Sequence, residues 1–115
     1  MMNLSKLQEK LHKSSSDAGW WINGTVDDQV PVKLLLIHSE VSEAMEGHRK
    51  SLKDDHLPHR DMMEVELADA LIRILDLAGA CGYDLEATIE EKDTYNAQRA
   101  DHKPENRAKA GGKKY

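Results

Sequence analysis

One cysteine, three prolines and no phenylalanine occur in 115 residues. Cys81 has no partner for an intramolecular disulfide, which excludes a disulfide scaffold and points to a reducing compartment. Near a helix end, before Gly82, it reads as a small buried hydrophobe. Strand signals are also scarce, because no run alternates β-branched and aromatic residues between turns. The longest aliphatic run, Leu34 to Ile37, is far short of a membrane span, and the N-terminus lacks an apolar signal region. The expectation is a cytoplasmic, all-α chain with no membrane partner. The net charge of −5 and pI near 5.6 argue against a nucleic-acid partner.

What is present is a repeated acidic pattern. Glu40-Val41-Ser42-Glu43-Ala44-Met45 returns as Glu66-Leu67-Ala68-Asp69-Ala70-Leu71, in the order acid, aliphatic, small, acid, alanine, aliphatic. Three residues turn an α-helix by about 300° and raise it by about 4.5 Å, so each acid pair projects from one face. Pairing position 40 with 69 and 43 with 66 puts the centre of symmetry between Asp54 and Asp55, inside the stretch Ser51 to His59. There the apolar periodicity lapses and Pro58 disfavours helix, so the stretch reads as a turn joining two antiparallel helices. The expected core stripes are Leu34, Ile37, Val41 and Ala44 before the turn, and Met63, Leu67, Ala70, Ile74, Leu77 and Ala78 after it. The acids then lie one step beside each stripe, at the edge of the buried face.

Four partly desolvated carboxylates at one height repel, which raises their pKa values or requires a counter-cation. With only oxygen ligands in the pattern, the fitting ions are magnesium, manganese or calcium rather than zinc or copper. A single acid pair at i, i+3 is ordinarily a solvated face. Its duplication about a turn makes Glu40, Glu43, Glu66 and Asp69 a candidate metal site.

At this point the chain resembles the MazG-like all-α nucleoside triphosphate pyrophosphohydrolases, in their small stand-alone form. Their signature is E-x-x-E, an interval, then E-x-x-D; here it reads Glu40-x-x-Glu43 and Glu66-x-x-Asp69. The likeness continues in Lys92-Asp93-Thr94-Tyr95-Asn96-Ala97-Gln98-Arg99, similar to K-x-x-Y-N-x-x-R, and in the ending Gly111-Gly112-Lys113-Lys114-Tyr115. Many members carry a further Glu directly before the first pair, where this chain has Ser39. The resemblance implies hydrolysis of a ribo- or deoxyribonucleoside triphosphate to monophosphate and pyrophosphate. It implies Mg2+ on the four acids, with Mn2+ as a substitute, and homodimers or pairs of dimers. A phosphoribosyl-nucleotide pyrophosphohydrolase is the nearest alternative, and a non-catalytic helical module needs only the apolar stripes. A ferritin-like di-iron protein would need Glu-x-x-His, whereas the second pair ends in Asp69.

An acidic cluster holds a polyanion only through metal, so the chemistry fits the resemblance. Any of the four acids could take the proton of the attacking water, and Glu43 is the choice here. Lys92, Asn96 and Arg99 fall at i, i+4, i+7 on a helix from about Asp84 to Arg99 and form a candidate phosphate and nucleoside face. Arg73, four residues beyond Asp69, is either a counter-ion to an acid or a phosphate contact. Of Trp20 and Trp21, one is expected to anchor its loop and the other to stack on a base. Histidines 38, 48, 56 and 59 are not spaced as metal ligands.

The organisation expected is a single domain, 1–115, built as a four-helix-bundle-like fold around the central hairpin and dimerising through helix faces. Its parts are an N-terminal helix (about Asn3 to Lys13, ending at Ser14-Ser15-Ser16) and loop over 1–31, a helical core over 32–99, and a flexible tail over 100–115. From Arg99 onward that tail sets six basic residues against Asp101 and Glu105.

Overall fold

The computed structural model describes residues 3–115. It is all-helical: α1 (Leu4–Asp17), α2 (Val26–Lys50), α3 (Met62–Cys81), α4 (Leu85–Gln98), a 3-10 turn (Ala100–His102) and α5 (Pro104–Arg107). Among the described residues the only bridge between extended segments joins Lys53 to Asp61. No described helix is long and apolar enough to cross a membrane. The chain divides into two compact units, Met1–Tyr83 and Asp84–Tyr115.

In the first unit, Asn3 caps α1 by accepting from the Lys6 amide at 2.8 Å. The helix does not stop at the three serines but carries through them to Asp17. Serine costs a helix only tenths of a kcal/mol, and the chain reverses where it can, at Gly19 with φ 87°.

The connection before the hairpin is also shorter than its composition suggests. Thr25 accepts from the Asp28 amide while Asp28 accepts from the Thr25 amide, a capping box that starts α2 at Val26. Pro31 therefore lies inside the helix, and the expected boundary at 31/32 falls within α2. So near the amino end, the proline deprives only the Asp27 carbonyl of its helical donor, a loss the box outweighs.

Ser51 ends α2 in the left-handed region at φ 54°, with the Leu52 amide bonding back to the Gly47 carbonyl at 3.0 Å. Asp54 is buried and accepts from the amides of His56 (2.9 Å) and Leu57 (2.8 Å), so the turn is pinned at the symmetry centre of the acidic repeat.

α2 packs on α3, and α1 packs on α3. Both contacts need glycine. A Cβ at Gly47 would lie 2.8 Å from the Met62 side chain, and one at Gly79 would lie 2.7 Å from the Cβ of His12. The buried seam of the hairpin runs through Glu40, Ala44, Gly47, Glu66 and Ala70, with Leu75 and Ala78 buried further along α3. This corrects the expected stripes. Leu34, Val41, Met63, Leu67 and Ile74 are exposed, and the acids Glu40 and Glu66 are in the seam instead of beside it. Small side chains let the backbones approach closely, and only a small-residue seam with acids at its end does so here.

The exposed residues form a pattern of their own. Val41 and Met45 follow Glu40 and Ala44 by one residue, as Leu67 and Leu71 follow Glu66 and Ala70, so each is rotated about 100° from the seam. In an antiparallel pair those equal rotations fall on the same side. The hairpin thus presents one apolar face, opposite the side on which Glu43 and Asp69 project.

Candidate metal centre and adjoining cavity

Two helical repeats meeting across the pinned turn bring Glu40, Glu43 and Glu66 together, with one carboxylate oxygen from each lying within 4.8 Å of the others. Glu40 and Glu66 are each 9% exposed, whereas Glu43 stands open to solvent. No histidine or cysteine joins such a group among the described residues. Asp69 is close but outside the set of three, so four acids at one height become three with a fourth beside them. Its register on α3, one turn beyond Glu66, leaves it lining a cavity with Glu40.

The electrostatics are those of an overcrowded anionic cluster. A hydrogen bond to the Glu40 carboxylate, then burial, then the nearness of Glu43 push Glu66 up to about 8. Burial raises Glu40, but hydrogen bonds from Glu66 and Arg73 outweigh it and hold that acid below its ordinary value. Burial and the charges of Glu40 and Asp54 raise Asp69, against the pull of Arg73. With every carboxyl ionised, Oε2 of Glu66 is buried with no hydrogen-bond partner. A proton or a cation at that oxygen resolves it. An all-oxygen donor set of this density fits a hard divalent ion.

Arg73 donates from Nε to Glu40 Oε1 at 2.8 Å, which makes it the internal counter-ion in this state. Its side chain is 39% exposed and also faces the cavity.

That cavity, about 630 Å³, lies between α1, α2 and α3 and runs from Glu40 and Asp69 to Trp20 and Asp76. It separates the two tryptophans. The Trp21 indole donates to Asp76 Oδ1 at 3.0 Å, meets His12 edge-on at 5.8 Å and lies under the Lys33 ammonium at 4.5 Å. It is the loop anchor. Trp20 lines the cavity and is 68% exposed. Lys33 donates to the Trp20 carbonyl at 3.2 Å, tying the loop to α2 from its other end.

Sequence reasoning missed His12, Lys33 and Asp76. His12 Nδ1 donates to Asp76 Oδ1 at 2.9 Å. Two signals were there to be read: His12 continues the Leu4, Leu7, Leu11 stripe, and Asp76 stands seven residues beyond Asp69 on the same helical face.

The second unit holds the remaining candidates. Lys92 lies on α4 with its ammonium 4.5 Å from the Tyr95 ring centre, and Oδ1 of Asn96 is buried with no hydrogen-bond partner. Arg99 caps α4 and pairs with Asp101, which also pairs with Lys113. Those partners hold Asp101 well below the usual carboxylate range. The segment expected to be a flexible tail carries this local structure, with Arg107 donating to the carbonyls of Lys113 and Lys114.

No family model matches the chain, and neither does any curated protein or solved structure.

Proposed function

We propose that this chain is a magnesium-dependent nucleoside triphosphate pyrophosphohydrolase of the MazG-like kind. The observation that carries the reading is Oε2 of Glu66, buried without a partner among three convergent carboxylates at the end of a nucleoside-sized cavity. Glu40, Glu43 and Glu66 would hold the ion, with Asp69 beside them. When bound, Mg2+ supplies charge balance for the phosphates and acidifies the attacking water.

The chain's own groups divide the remaining work. Glu43 is the exposed member of the cluster, which supports it as the acceptor of a proton that must leave toward solvent. Arg73, half open beside Glu40, can turn its guanidinium to a phosphate oxygen once a cation has replaced it there. Trp20 offers a flat face for a base. Incubation with magnesium and each of the standard ribo- and deoxyribonucleoside triphosphates tests the reading. At least one should yield monophosphate and pyrophosphate in equal amounts, and Glu43→Gln and Asp69→Asn should abolish that turnover with the helical circular dichroism intact. No product from any of them overturns it.

The same reading makes the protein a homodimer, or a pair of dimers. Val41 (51% exposed), Met45 (63%), Leu67 (51%) and Leu71 (49%) form an apolar face that a second hairpin would bury across a two-fold axis, completing a four-helix bundle. Sedimentation equilibrium should give twice the 13.0 kDa chain mass, or a further doubling of it. Val41→Lys with Leu67→Lys should shift it to the monomer; a monomeric wild type removes this part of the proposal.

A further inference from the structure

The far end of the cavity holds a carboxylate that the metal chemistry does not use. Asp76 lies seven residues beyond Asp69, two helical turns or about 10.5 Å along one face of α3. That is the order of the reach from a base edge through a sugar to the first phosphate. Both side chains line the cavity.

Asp76 is built into place. His12 Nδ1 and the Trp21 indole both donate to its Oδ1, at 2.9 and 3.0 Å, and its side chain is only 13% exposed. Two donors from two other segments fix the carboxylate plane and spend one oxygen. Oδ2 takes neither bond and so keeps its acceptor capacity, in a residue that lines the cavity with Trp20 as a flat face and Ser14 and Ser15 as hydroxyls on the α1 side. An acceptor-only group held rigidly in a half-dry cavity reads a donor and repels a carbonyl.

We infer that Asp76 selects the base: the cavity takes nucleotides whose ring carries an exocyclic amine beside a ring acceptor, as cytosine, adenine and, through its 2-amino group and N3, guanine do, and disfavours uracil, which has no exocyclic amine and presents carbonyls on both sides of its ring N–H. The amine donates to Oδ2 of Asp76, and a serine hydroxyl donates to the neighbouring ring nitrogen. This deepens the pyrophosphohydrolase reading and rests on it for the triphosphate, but base recognition can be measured without turnover.

The test titrates metal-free protein with the uncharged nucleosides cytidine, adenosine, guanosine and uridine, following tryptophan fluorescence and calorimetric heat. Cytidine, adenosine and guanosine should bind at least about tenfold more tightly than uridine, the worth of one buried hydrogen bond to a charged group. Asp76→Asn keeps a carbonyl oxygen for His12 and Trp21 and turns an amide donor to the base, so it should invert the cytidine-to-uridine ratio. A ratio between ligands cancels any common loss of folded protein. Trp20→Ala should weaken all four ligands alike and leave the ratio unchanged. Equal wild-type affinities, or a ratio that Asp76→Asn does not move, overturn the inference even if triphosphates are hydrolysed. An Asp76-dependent ratio with no hydrolysis of any triphosphate upholds it and overturns the pyrophosphohydrolase reading instead.

Discussion

Glu66→Gln should lower turnover by on the order of 100-fold or more, since even the partners that merely orient metal ligands cost 10–100-fold when removed. The same substitution should stabilise the metal-free protein. Glu66 is a buried acid raised from 4.5 to about 8 by Glu40, burial and Glu43, so its ionised form is what the folded state tolerates badly. Glutamine fills the same volume and carries no charge, and its amide can donate to Glu40. The gain should be absent below about pH 4.5, where the glutamate is protonated folded or unfolded, and complete above about pH 8. There it should reach about 5 °C or more in Tm, as a kcal/mol or more does in a chain of this size. Thermal melts of both proteins across that range check the stability arm, and magnesium-dependent turnover checks the other. Wild-type turnover, or a melt that falls at alkaline pH, would place the cation elsewhere.

The metal-free wild type should lose stability as pH rises from about 5 to about 8, contrary to the usual behaviour of a protein rich in paired carboxylates. The sign follows from the raised acids. Between the unfolded and folded pKa values of Glu66 and Asp69, the folded state binds more protons than the unfolded one, so each rise in pH favours unfolding. Glu40 acts the other way. Its folded pKa is lowered, so its contribution is complete above its unfolded value of 4.5 and is lost as pH falls through the folded one. The metal-free optimum therefore lies near pH 5. Millimolar magnesium should move it toward pH 8, because the cation occupies the place of the proton and binds only ionised ligands. At a hundredfold excess over Kd that stabilisation is about 2.7 kcal/mol. Calorimetry at three pH values with and without magnesium measures it, and a magnesium effect no larger at pH 8 than at pH 5 would refute the coupling.

Much of the site was legible because it rests on spacing. Helical rotation placed Glu40 beside Glu43 and Glu66 beside Asp69, and the turn midpoint at Asp54 brought the pairs together. Burial was less legible. Hydrophobicity alone assigned Val41 and Leu67 to the core, yet the seam belongs to Ala44, Gly47 and Ala70, since helices approach where side chains are small. The start of α2 lies earlier than the expected loop over 1–31 for a local reason: the capping box of Thr25 and Asp28, six residues before Pro31, starts the helix ahead of the proline. The pair Trp20 and Trp21 could not be separated from the chain alone, because only the positions of His12 and Asp76, 64 residues apart, decide which indole finds a partner.

An all-helical chain, a hairpin about Asp54 and an acidic constellation are written in the residue order alone, since each follows from periodicity and local chemistry along one helix. Helix packing is what orphans Glu66 Oε2, spends Arg73 on Glu40, sets Asp69 outside the closest three and opens a cavity from those acids to Asp76. Those facts depend on how closely two helices approach and on what a third lays over them. That distance is set by the joint packing of Gly47 against Met62 and Gly79 against His12, which no single segment encodes.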